Sequence, residues 1–77
     1  MNKSRRSRLS DLQTRIEEIM TDLGEIRNEE QAAYESMPES IQYSERGDTM
    51  ADAIDNMDEA VSLLEDIDSY LEEAKGN

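Results

Sequence analysis

Carboxylates are the residues of this chain whose type and spacing could do chemistry. Asp55 with Asp58 or Glu59, and Glu65 with Asp66 or Asp68, fall within a helical turn of one another, close enough to share a proton or a divalent cation. Each such chemistry needs further groups. A dimetal carboxylate bundle needs inward Glu-x-x-His pairs, and the chain has no His. A calcium loop needs alternating oxygen ligands, a glycine at its sixth position and a glutamate at its twelfth, and no window holds them. Nucleophilic catalysis lacks a base, because Cys and His are both absent and the serines have no plausible partner. Gly24, Gly47 and Gly76 are isolated, so no phosphate-binding loop forms. The acids are expected to be solvated charge, with no metal or cofactor and no enzymatic activity.

The elements that carry them are helical. From Asp48 to Ala74 the chain holds ten acids, and its apolar residues recur at helical spacing. With Ile54 as heptad position a, Met50, Ile54, Met57, Val61, Leu64 and Leu71 occupy a and d, while Ala53, Ala60, Ile67 and Ala74 occupy g. That is the wide apolar face of a helix that packs in a bundle. Acids hold f at Asp52, Glu59, Asp66 and Glu73, and e at Asp58, Glu65 and Glu72. Asp68 breaks the seam at a. It is expected either to turn outward or to set register against Arg5, Arg6 or Arg8.

An earlier helix carries a second seam. Leu9, Leu12, Ile16, Ile19, Leu23 and Ile26 alternate steps of three and four. Ser10 can cap this helix, Asp22 and Arg27 suit an ion pair, and Gly24 sits outside the seam. Pro38 disfavours helix at Met37 and suits the first turn of a short helix, PESIQY. Tyr34 and Tyr43 are expected to pack at this turn or to form part of a contact surface. Thr49 and Asp52 resemble a capping box, and Lys75 with Gly76 makes a sound C-terminal ending. The expected organisation is all-α: a flexible basic arm over 1–8, a helix over about 9–35, a turn with a short helix over 36–47, and a helix over about 48–74, with Ser44 as its alternative start. Two helices of nearly equal length favour an antiparallel hairpin, with Leu12 near Leu71, Ile19 or Leu23 near Val61 or Leu64, and Ile26 near Met57. A continuous parallel coiled coil is the competing arrangement.

Seventy-seven residues bury too little surface for a comfortable lone core. Without cysteine or histidine, disulfides and common zinc sites are excluded, which leaves self-association, most simply as a dimer or four-helix bundle. No apolar run spans a bilayer and no hydrophobic segment follows the N-terminal charges, so the cytoplasm is the expected location. From residue 9 onward twenty acids face four bases, a balance of −16. Such a body repels nucleic acid and anionic membrane and attracts basic protein surfaces.

The acidic rows give a rod of regular negative charge. Asp52, Asp55, Asp58, Glu59, Glu65, Asp66, Glu72 and Glu73 are therefore candidate partner-binding residues, able to compete with nucleic acid for a basic groove. The alternative is that they only keep a bundle soluble. The segment EEQAAYESMPESIQYSERGDTMADAIDNMDEAVSLLEDI, in a chain whose likeness extends over residues 9–74, resembles small acidic helical proteins of bacteriophages and prophages. That resemblance implies an inhibitor of a host or antiviral defence protein, such as a CRISPR nuclease, working in the host cytoplasm. It carries no functional residue over. Two other expectations are a purely structural homo-oligomeric module, and an oligomeric sponge for a small ligand in which the N-terminal arginines line the pocket.

Overall fold

A computed structural model describes residues 1–76. They form α1 (Lys3–Glu35), α2 (Glu39–Gln42) and α3 (Glu45–Ala74), with no strand among the described residues. α1 and α3 pack antiparallel in a slender hairpin of 58 × 15 × 13 Å. Its register is the expected one: Gln13 reaches Glu72 and Arg27 reaches Asp58.

The basic segment departs from the expectation of a flexible arm. It is helical from Lys3, because Asn2 caps the helix by accepting the Arg5 N–H at 2.9 Å. Arg6 then donates from Nε to the Lys75 carbonyl at 2.9 Å. A guanidinium on the open carbonyls at the end of α3 is favoured by the helix dipole, which offsets the poor placing of cations at the start of α1. Ser10 is not a cap. It lies inside α1, where its hydroxyl accepts from Lys75 Nζ at 3.2 Å.

At the other end Pro38 stops α1 and leads into α2. The Gln42 side chain donates to the carbonyls of Tyr34 (3.0 Å) and Met37 (3.1 Å), satisfying acceptors that the end of α1 leaves open. Tyr34 is half-buried as expected, but Tyr43 points into solvent. α3 begins at Glu45 with Ser44 as its N-cap residue, the earlier of the two expected starts, so Gly47 lies in its first turn. It is buried where α2 crosses, and a Cβ there would run into the Gln42 carbonyl. Thr49 does not cap; its hydroxyl donates to the Glu45 carbonyl at 3.0 Å.

The seam of α3 is built as its heptads require. Met50, Ile54, Met57, Val61, Leu64 and Leu71 are buried or half-buried, with Ile54 at 5% exposure the one buried apolar side chain among the described residues. α1 is rolled about its axis relative to its own heptads. Leu9, Ile16 and Leu23 turn to α3, and they are joined by Gln13, Met20, Arg27 and Tyr34 in place of Leu12, Ile19 and Ile26. Those three are exposed, Ile19 by 52% and Ile26 by 54%. The polar reach of Gln13 and Arg27 to Glu72 and Asp58 holds this roll. Asp68 stays in the seam instead of turning outward, and neither Arg5, Arg6 nor Arg8 pairs with it.

Candidate interaction surface

The eight candidate acids are all exposed, but they do not form one uniform surface. Asp58, Glu65 and Glu72 lie alongside α1, and two of them serve the hairpin itself. Arg27 Nε sits 2.8 Å from Asp58 Oδ1, replacing the pair that spacing suggests with Asp22. This contact raises the Arg27 guanidinium further above its already high value. Glu72 accepts from Gln13 Nε2 at 3.1 Å and from Lys75 Nζ at 3.0 Å. These hydrogen bonds, that from Gln13 first, hold its carboxyl below the usual carboxylate range. Asp52, Asp55, Glu59, Asp66 and Glu73 take the far side of α3 and project into solvent. They give a row of negative charge along the back of the rod.

No cluster among the described residues has the makings of a metal site. The acids are spread along one helix and do not converge from two. No helix among the described residues is long and apolar enough to cross a membrane.

The second surface is apolar, and part of it is not evident from the seams. A helix turns about 100° per residue, so residues seven apart stay on one line. Gln13 and Arg27 lean toward Glu72 and Asp58, which fixes one long side of the hairpin as polar. On the opposite side Leu12, Ile19 and Ile26 of α1 run beside Ala53, Ala60 and Ile67 of α3. Leu63 (53% exposed) and Tyr70 extend this face along the α3 edge. At the N-terminal end it opens into a hollow lined by Met1, Arg5, Arg8, Leu9 and Leu12. Leu63 and Tyr70 sit at heptad position c, outside both seams, and only their recurrence seven apart signals them.

No protein-family model matches this chain, nor does any curated protein or any solved structure.

Proposed function

We propose that this chain is a non-enzymatic protein-interaction module that assembles with copies of itself and offers an acidic flank to a basic partner. The observation that carries the reading is the division of surface on a hairpin that buries one apolar side chain among its described residues. Leu12, Ile19, Ile26, Leu63 and Ile67 stand exposed on one side, while Asp52, Glu59, Asp66 and Glu73 line the back of α3. Solvated apolar side chains gain about 25 cal/mol per Å² on burial, so the first surface favours assembly. The second repels anions and steers a basic protein toward the rod. A groove that otherwise holds nucleic acid fits that description, and an inhibitor of a host or defence protein would work by occupying it.

Asp52→Lys, Glu59→Lys and Asp66→Lys together test the acidic half. These positions are solvent-facing and outside both ion pairs of the hairpin, so helicity is expected to persist. Proteins captured from a host lysate by the unchanged chain should be lost by the triple variant. Capture of the same proteins by both overturns the acidic reading. A structural module without any acidic docking is the second reading, favoured by the exposed apolar face, and it predicts that the triple variant keeps function while Ile16→Asp or Val61→Asp abolishes it.

A further inference from the structure

The apolar side of the hairpin is edged along α1 by residues at a seven-residue spacing: Arg8, Arg15, Asp22 and Glu29. Two cations lie toward the N-terminal end of α1 and two acids toward the turn. Inside that edge runs the row Leu12, Ile19, Ile26, and on α3 the row Ala53, Ala60, Ile67, edged by Asn56, Leu63 and Tyr70.

We infer that a second copy of this chain covers this face, related by a two-fold axis that crosses the rod at the level of Ile19 and Leu63. The inference rests on the self-assembling reading above and adds the partner's orientation. Under this axis α1 lies antiparallel on α1 of the other copy, and α3 on α3, giving a four-helix bundle with an isologous interface.

The sequence of the face matches itself about that axis. Ile19 meets Ile19 of the second copy, Leu12 meets its Ile26, Arg15 meets its Asp22 and Arg8 meets its Glu29. The two apolar pairings are centred on residue 19 and the two charged ones midway between residues 18 and 19, half a residue apart. On α3, Leu63 meets Leu63 of the second copy, Ala60 meets its Ile67 and Asn56 meets its Tyr70, with a midpoint at residues 63–64. Small opposite large is how facing layers fill space. The bridges from Gln13 to Glu72 and from Arg27 to Asp58 put residues 18–19 level with residues 66–67, and the contacts of Gln13 and Arg6 with the Asp68 and Lys75 main-chain oxygens put them level with 62–63, so the α3 midpoint falls within the span the hairpin register allows. Nothing in a lone hairpin requires that agreement. A two-fold along the rod instead lays α1 on α3 of the other copy, which sets Asp22 against Leu63 and leaves the Arg8 and Arg15 edge facing no acid edge. The broad side of the rod, 58 by 15 Å, has room for the roughly 800 Å² per partner of a stable interface.

The chain has no cysteine, so single cysteines report the arrangement directly. Light scattering should give twice the 8.8 kDa chain mass. Under mild oxidation Ile19→Cys should link to itself. Leu12→Cys and Ile26→Cys should each remain unlinked alone and link when mixed. Arg15→Glu or Asp22→Arg alone should weaken the dimer several-fold, and the double swap should restore it. A doubled mass with Leu12→Cys linking to itself overturns the orientation and leaves self-assembly standing. A single-chain mass overturns both. The acidic triple variant leaves these readouts unchanged, so docking of a basic partner succeeds or fails separately.

Discussion

Gln13 and Asp68 meet across the hairpin seam in a relationship that satisfies one residue and not the other. The buried Gln13 amide donates to the Asp68 main-chain oxygen at 3.3 Å and to Glu72 Oε2 at 3.1 Å. Beside it, Asp68 Oδ1 is out of solvent and has no hydrogen-bond partner. A buried acceptor left unpaired costs about 1–3 kcal/mol, and aspartate is also a poorer helix former than leucine.

Asp68→Leu should therefore stabilise the chain. It removes the unpaired oxygen, completes the a/d row between Leu64 and Leu71, and keeps the Asp68 carbonyl that Gln13 uses. A gain of about 1 kcal/mol would raise the melting temperature by roughly 4–8 °C in a domain of this size. Thermal and urea unfolding followed by helical circular dichroism check it. A lower midpoint would show that the carboxylate does something for the fold that this geometry does not display.

Two glycines should respond in opposite directions to the same change. At Gly47 the α2 backbone comes so close that a Cβ would meet the Gln42 carbonyl, which cannot move without disturbing α2. Gly47→Ala is expected to cost about 1–3 kcal/mol, the range for overpacking a filled site. At Gly24 a Cβ would meet nothing within 4 Å, in the interior of a 33-residue helix. Gly24→Ala should stabilise by about 1 kcal/mol. Unfolding midpoints that move the same way for both variants would contradict the α2 crossing.

These glycines also show what was legible from residue types and what was not. Heptad spacing defined two long helices, the proline turn and the approximate register, which the bridges from Gln13 and Arg27 match to within a turn, although Leu12 and Ile26 turn away from the Leu71 and Met57 that spacing predicts beside them. Spacing could not choose which edge of the α1 stripe turns to α3. That choice depends on long polar side chains reaching across, and Gln13 and Arg27 look like ordinary surface residues in one dimension. Gly47 fell at the end of the expected turn over 36–47, because close backbone approach leaves no mark on composition. The segment 1–8 read as an arm because it carries four bases, no acid and no apolar seam. The Asn2 cap and the Arg6 contact with the end of α3 leave no mark on composition. Of the acidic candidates, Asp58 and Glu72 proved to have partners inside the hairpin, which charge periodicity alone cannot reveal.

Glu72 gives the last prediction, a dependence on pH. Its carboxyl titrates below the usual carboxylate value, chiefly because the charged form accepts from Gln13 and then from Lys75. A carboxyl whose folded value is depressed contributes stability that is fully present above its unfolded value, about 4.3 for glutamate. That contribution is lost as pH falls through the folded value. Acid also discharges a chain of net charge −12 and so relieves self-repulsion, an effect of opposite sign that hides the contribution in the unchanged protein alone. The difference between the chain and Glu72→Gln isolates it, because every other carboxyl is common to both. Urea unfolding of the pair between pH 7 and pH 3 should show the unchanged chain ahead at neutral pH, with the gap closing below about pH 4.3. A gap that stays constant over that range would mean that the Glu72 charge is not what Gln13 and Lys75 hold at this end of the seam.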